Sequence, residues 1–343
     1  MITIAFFGPV NSGKSTLVNA IAGQEVSLVS ALPGTTTDPV RKRIELPGLG
    51  PCVLIDTAGL DDDSVLGPER ERRTRAILDE ADVAVLLGPA ELVEKSGVSI
   101  VRYRRGESVE SLLERIAAVI PAQEEKFLTG RLVSGGEVVL LVMPQDSEAP
   151  KGRLILPQVQ VIRELLDRGC TPLCCTPSSL PGVLGRVKPD LVITDSQVFK
   201  AVNLTIPADI PLTSFSILLA GAKGDMDVFL AGARAIASIK PGSRVLIAEA
   251  CTHVPDTEDI GRVKIPALLR RQIGSLEVSM AAGNDFPEDL GGYSLIIHCG
   301  ACVASSTLVR ARIRRALAAG VPITNYGLAI AALQGMLSRL SIP

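Results

Sequence analysis

Two histidines occur in 343 residues, and each lies beside cysteine. His253 closes the triplet Cys251-Thr252-His253, and His298 opens the run His298-Cys299-Gly300-Ala301-Cys302. Thiolates and imidazoles are soft to borderline ligands, and a C-x2-C spacing lets one loop place two thiolates on one metal centre. Gly300 and Ala301 keep bulky side chains out of the turn between them. Two chemistries suit this set. One is a closed, four-coordinate Cys3His zinc site, which composition slightly favours because zinc sites are common. The other is an iron–sulfur cluster held by Cys251, Cys299 and Cys302 with a labile fourth position. The remaining cysteines stand in apolar, strand-like surroundings, Cys52 in GPCVLID and Cys170, Cys174 and Cys175 in GCTPLCC. They are expected to be small buried hydrophobes, and adjacent Cys174 and Cys175 would face opposite sides of a strand.

A different chemistry stands at the start of the chain. GPVNSGKS, residues 8–15, fits the phosphate-binding loop G-x-x-x-x-G-K-S/T between the apolar run ITIAFF and the helix-forming TLVNAIAG. Gly8, Ser12, Gly13 and Thr16 belong to a loop and helix start whose amides hold phosphates, Lys14 reaches the terminal phosphates, and Ser15 ligates Mg²⁺. GTTTD at 34–38 and DTAG at 56–59 follow in order, with Asp56 placed to hold Mg²⁺ through water and the Gly59 amide to sense the terminal phosphate.

Positioning these residues takes alternating strands and helices. ITIAFF, CVLI, DVAVLL and VSIVRY read as strands of a first sheet, with SVESLLERIAAVI as its last helix. EVVLLVMPQD, LPQVQVIRELLDRG and DLVITDSQ read as strand, helix and strand of a second unit beyond a linker at 121–127. RVLIAEA, SLIIH and PIT are strands of a third, with VFLAGARAIASI helical. The fold class is α/β: a P-loop GTPase-like parallel-sheet domain followed by two smaller α/β parallel-sheet domains. Cys251 and Cys299 each follow a strand directly, so they converge at the carboxyl edge of one sheet if those strands are neighbours.

The net charge of −2 builds in no pull toward nucleic acid or anionic membrane, and neither is expected as a partner. The charge-free stretch 316–338 is interrupted by Pro322, Asn325, Gly327 and Gln334, and it reads as a buried strand feeding a helix. No secretory leader is visible, and a cytoplasmic chain is expected.

Asn11 in GPVNSGKS, together with GTTTD and DTAGL, resembles the TrmE–Era class of GTPases. That resemblance implies that Thr36 completes the Mg²⁺ shell and that Asn11 helps bind K⁺, as in potassium-activated members. The guanine signature Asn-Lys-x-Asp is absent, and AKGD at 222–225 lies outside the domain and lacks the asparagine. A helix–strand–helix stretch that should carry it is missing, so weak selection of GTP over ATP and slow hydrolysis are expected, with no catalytic residue assigned.

APKGRLILPQVQ, LVITDSQVFK, AEACTH, DIGRVKIP, IIHCGAC and AGVPITNYGLAIA resemble the FeFe-hydrogenase maturation GTPases of the HydF family over nearly the whole chain. The resemblance implies a shortened GTPase domain at 1–122, a dimerisation domain at 127–203 and a cluster-binding domain at 204–343. It also implies that Cys251, Cys299 and Cys302 ligate a [4Fe–4S] cluster, with His253 and His298 as candidates for the exchangeable position. GTP and Mg²⁺ are the further cofactors. The implied role is a scaffold or carrier in a homodimer, which accepts a di-iron precursor and passes it to apo FeFe-hydrogenase alongside other maturation proteins. The alternative is a TrmE–Era-type GTPase switch with a structural Cys3His zinc site, against which the missing guanine signature counts.

Overall fold

The computed structural model describes residues 2–23, 39–59, 67–120, 127–145, 152–250 and 259–343. Thr36 with the rest of GTTTD, linker residues 121–126, Cys251 and His253 lie outside these segments. The chain divides into two compact units, Met1–Glu124 and Glu125–Pro343.

The first unit begins with β1 (Ile2–Phe7), α1 (Lys14–Ala22), β2 (Val40–Leu46), β3 (Gly50–Asp56) and α2 (Gly67–Glu80). It continues with β4 (Val83–Leu86), α3 (Glu91–Glu94), β5 (Ser99–Arg102) and α4 (Val109–Val119). The five strands form one sheet in the order β2-β3-β1-β4-β5. β1 is apolar except for Thr3 because helices cover both its faces. Ile4 and Phe6 pack with Leu17 and Val18 of α1 and Leu112 and Ile116 of α4, while Ala5 and Phe7 meet Ile77 and Leu78 of α2.

The expectation of parallel strands throughout fails at one edge of this sheet. β2 runs antiparallel to β3, from Val40↔Asp56 to Leu46↔Gly50. Only Pro47, Gly48 and Leu49 join the two strands, which permits a tight turn but no crossover. Gly48 and Gly50 take the positive φ values of 75° and 70° that this turn requires. At the other edge VSIVRY becomes β5 and pairs directly with β4, Val83 opposite Ser99. Their crossover holds only the four-residue α3, so among the described residues no strand intervenes where a guanine-reading loop would be anchored.

The second unit contains two all-parallel, four-stranded sheets. The first of them comprises β6 (Val138–Val142), α5 (Leu156–Asp167), β7 (Thr171–Cys175), α6 (Leu180–Leu184), β8 (Leu191–Thr194), α7 (Phe199–Thr205) and β9 (Leu212–Ser214), in strand order β7-β6-β8-β9. α8 (Phe215–Lys223) and α9 (Met226–Ala235) lead into the next. That sheet has β10 (Arg244–Glu249), α10 (Ile265–Ile273), β11 (Glu277–Ala282), β12 (Leu295–His298), α11 (Ser306–Ala318), β13 (Ile323–Asn325) and α12 (Tyr326–Leu333), in strand order β11-β10-β12-β13. α8 serves both sheets. Phe215 and Leu218 join the core under β6 and β8, and Ile217 and Ala220 join the core under β10 and β12. Its sequence FSILLAGAK is apolar except for Ser216 and the last residue, as suits a helix buried on two faces.

Cys52 and Cys170 are buried, but Cys174 is exposed and Cys175 only partly covered, which corrects the expectation for that pair. Both lie on β7, an edge strand, so one side of each residue's surroundings is left open.

Candidate functional site

The phosphate-binding loop connects β1 to α1 at the carboxyl edge of the first sheet, where Phe6 pairs with Asp56 of β3. Asn11 and Gly13 adopt left-handed backbone, with φ of 60° and 91°. Asparagine tolerates that region better than most side chains, and glycine adopts it freely. Ser12 and Ser15 are partly covered, Thr16 is exposed on the first turn of α1, and Gly8 is buried at the end of β1. Lys14 is 7% exposed, and its ammonium donates to the carbonyls of Gly8 at 3.0 Å and Pro9 at 2.7 Å. The lysine thus holds its own loop closed over the space a phosphate chain takes.

Asp56 is 1% exposed, and neither carboxylate oxygen has a hydrogen-bond partner among the described residues. A buried carboxylate left unpaired is costly, and a hydrated divalent cation satisfies it, so this residue fits its expected Mg²⁺ role. DTAG then passes hard against the loop. A side-chain carbon at Gly59 would stand 2.3 Å from Val10 Cγ2, so only glycine allows its amide so close.

The second site lies at the carboxyl ends of β10 and β12, which are parallel neighbours with Ala248 opposite His298. The strands preceding Cys251 and Cys299 are therefore adjacent, although the structure describes only Cys299 and Cys302 of the three thiols. Among the described residues no group of three or more His, Cys, Asp or Glu is arranged to hold a metal ion. What the structure describes is part of a donor set, His298, Cys299 and Cys302, and its surroundings. Cys299 Sγ accepts from the amides of Ala250 at 3.1 Å and Ala301 at 3.4 Å. Amides aimed at sulfur favour the thiolate, the form that binds iron or zinc, so the residues present fit a metal–sulfur group.

His298 is 1% exposed and both ring nitrogens are engaged. Nδ1 lies 2.7 Å from the Cys299 carbonyl, and Nε2 lies 3.0 Å from Arg312 Nη1. A carbonyl only accepts and a guanidinium only donates, so Nδ1 carries the proton and Nε2 is the acceptor. Burial, and then the Arg312 charge, push the imidazole's pKa down to about 3, which keeps it neutral. Metal ligation by this ring therefore requires breaking one of the two bonds. Arg312 is 2% exposed and also donates to the carbonyls of Glu249 and Gly283. Its guanidinium lies 4.8 Å from the centre of the Phe286 ring.

Three further residues frame this site without having been expected from sequence. Lys223 donates to carbonyls of Ala301, Cys302 and Ala304. Glu249 ends β10 in a 2.8 Å ion pair with Arg262. The Tyr326 hydroxyl is buried without a hydrogen-bond partner among the described residues, packed where a side chain at Gly261 would stand 2.0 Å away. Arg312 had a readable signal. In STLVRARIRRALA it falls three residues after Val309 and four before Ala316, on the stripe that faces the core. Lys223 had none, because AKGD attracts notice only as a failed guanine signature.

Comparison with known proteins divides the chain in three. The family model of the hydrogen maturase F tetramerization domain matches residues 227–342, and that of its dimerization domain matches 128–224. The family model named 50S ribosome-binding GTPase matches 3–120 and supports GTP and Mg²⁺ binding by the loop. Among curated proteins, the tRNA modification GTPase MnmE of Methylobacterium sp. (strain 4-46) is 36% identical over 219 residues, covering 50% of this chain and 49% of its own. MnmE of Acidiphilium cryptum is 47% identical over 90 residues, covering 26% of this chain and 21% of its own. The chain thus spans at most about half the length of these relatives. The solved Era GTPase of Aquifex aeolicus aligns over 83% of this chain and 96% of its own at 15% identity, with a TM-score of 0.27. No helix among the described residues is long and apolar enough to cross a membrane.

Proposed function

Because the chain belongs to the hydrogen maturase F family, we propose that it is a nucleotide-binding scaffold for FeFe-hydrogenase maturation. It holds a [4Fe–4S] cluster, accepts a di-iron precursor and delivers it to the apo-hydrogenase in the cytoplasm, as a homodimer or a larger assembly of copies. The observation that carries this reading is the Cys299 thiol, aimed at by two backbone amides on a loop at the carboxyl ends of paired parallel strands. Cys251, Cys299 and Cys302 would hold the cluster as thiolates. When bound, the cluster supplies an iron with an exchangeable coordination position for a guest. His253, outside the described residues, is the other candidate for that position, and His298 would first have to give up Arg312 or the Cys299 carbonyl. The first unit binds GTP with Mg²⁺ at Lys14, Ser15, Asp56 and Thr36, with K⁺ near Asn11, and serves a regulatory rather than a metabolic role.

The test is transfer. Chain loaded anaerobically with cluster and di-iron precursor should confer hydrogen evolution on purified apo-hydrogenase, and the Cys302→Ser chain treated alike should not. Equal activation by both would refute the carrier role.

A further inference from the structure

We propose that Lys223 is a positioning residue of the cluster loop, supplied by the dimerisation half of the second unit to a site in the tetramerisation half. The inference rests on the metal-site reading for its electrostatic part and on the loop geometry alone for its positioning part.

Residue 223 falls within the span that matches the dimerization model, and the loop falls within the span that matches the tetramerization model. Lys223 ends α8, which packs into the cores of both sheets of this unit. Its N-terminal end is fixed on both sides. Ser214 caps it from β9, while Asn325 Nδ2 donates to the Ser216 carbonyl and hydroxyl at 2.9 and 3.0 Å. The helix is therefore a rigid strut, and its last side chain reaches the C-x2-C loop.

There the ammonium gathers three carbonyls: Ala301, Cys302 at 3.1 Å and Ala304 at 2.9 Å. An ammonium has three donors, so all are used on one short loop. That loop needs holding. Ala301 sits at φ 51°, a left-handed conformation that is unfavourable for a non-glycine residue and persists only where its surroundings over-determine it. The same turn lets the Ala301 amide point at Cys299 Sγ. The lysine thus grips the carbonyl of the strained residue and that of a thiol-bearing residue at once. Its hydrogen-bond partners among the described residues are carbonyls rather than carboxylates, which leaves its charge facing the thiols of Cys299 and Cys302. A cation beside a metal–sulfur group favours the more negative, reduced state.

The experiment uses the full chain with Lys223→Met, which keeps length and apolar stem, and Lys223→Arg, which keeps charge. In the apo protein, hydrogen exchange of amides 300–305 should accelerate in Lys223→Met and return most of the way in Lys223→Arg. This readout needs no cluster, so it decides the positioning role even if the site proves to hold zinc. In reconstituted protein, Lys223→Met should shift the cluster's midpoint potential to more negative values. Chelators should strip its iron on the order of tenfold faster, the usual cost of losing an outer-shell partner. Lys223→Arg should restore the potential. Unchanged exchange at 300–305 in Lys223→Met would overturn the positioning role. An unchanged potential in a variant that still binds the cluster would overturn the electrostatic one. A wild-type chain that binds no cluster would overturn the function proposed above and leave the exchange result standing.

Discussion

Two lysines in this chain do the same thing at different ranges. Lys14 gathers the carbonyls of Gly8 and Pro9, six and five residues before it. Lys223 gathers those of Ala301, Cys302 and Ala304, between 78 and 81 residues after it. The nucleotide loop is therefore a local device, complete within one strand, one turn and one helix start. The C-x2-C loop is held by the last residue of a helix shared between two sheets and distant in sequence. The difference predicts how each site fails. Damage to the first stays in the first, because its lysine is only a placeholder whose carbonyl bonds give way when a phosphate enters. Damage near the second propagates, because the loop's conformation is held from outside.

The largest effects that separate the two sites come from the ligands themselves. Cys299→Ser or Cys302→Ser should abolish reconstituted cluster, since a hydroxyl is a poor iron ligand, while nucleotide titrations remain as in wild type. Cluster retained in both variants would break the assignment. Next comes Lys14→Ala, which removes a charged donor worth about 1.5–3 kcal/mol and should weaken triphosphate binding roughly ten- to hundredfold. Its iron content should not change, and a parallel loss of iron would break the claim that the sites fail separately.

Arg312→Leu sharpens the contrast from the other side. It strips a donor from His298 Nε2 and from the carbonyls of Glu249 and Gly283. The cost to the second unit should be about 3 kcal/mol, seen as an earlier thermal transition with nucleotide affinity preserved. A wild-type transition would mean that these contacts are not what holds the buried histidine. A smaller effect is expected at the base. With β5 paired directly to β4 and no Asn-Lys-x-Asp, GTP and ATP should bind within roughly tenfold of each other in Mg²⁺ and K⁺, since no buried group is left unpaired by adenine. Strong rejection of ATP would show that another segment, around Tyr103 to Arg105, reads the base. Smallest are Cys170→Ala, Cys174→Ala and Cys175→Ala. Iron should be unaltered in all three, with about 1 kcal/mol lost at buried Cys170 and nearly nothing at exposed Cys174, as read by denaturant midpoints.

The two sites were legible to different degrees for the same physical reason. GPVNSGKS and DTAG carry their own geometry, so strand, loop and helix were readable from consecutive residues, as were the apolar strands that lead into the candidate metal site. The pairing of β10 with β12 could be posed as a condition, because Cys251 and Cys299 each follow a strand. Lys223 and the Arg312–His298 bond could not, since sequence does not show which helix end meets which loop. His298 illustrates the limit. Its position beside Cys299 suggested a ligand, but its neighbours in space occupy both nitrogens. Cys174 shows another, because nothing local in GCTPLCC says that its strand lies at a sheet edge.

The central claim is that Cys251, Cys299 and Cys302 hold an iron–sulfur cluster rather than zinc. Anaerobically reconstituted full chain should contain iron and acid-labile sulfide in equal amounts and, after reduction with dithionite, give the electron paramagnetic resonance signal of a reduced [4Fe–4S] cluster, lost in Cys302→Ser. Colourless protein with stoichiometric zinc, and no such signal on reduction, would contradict it.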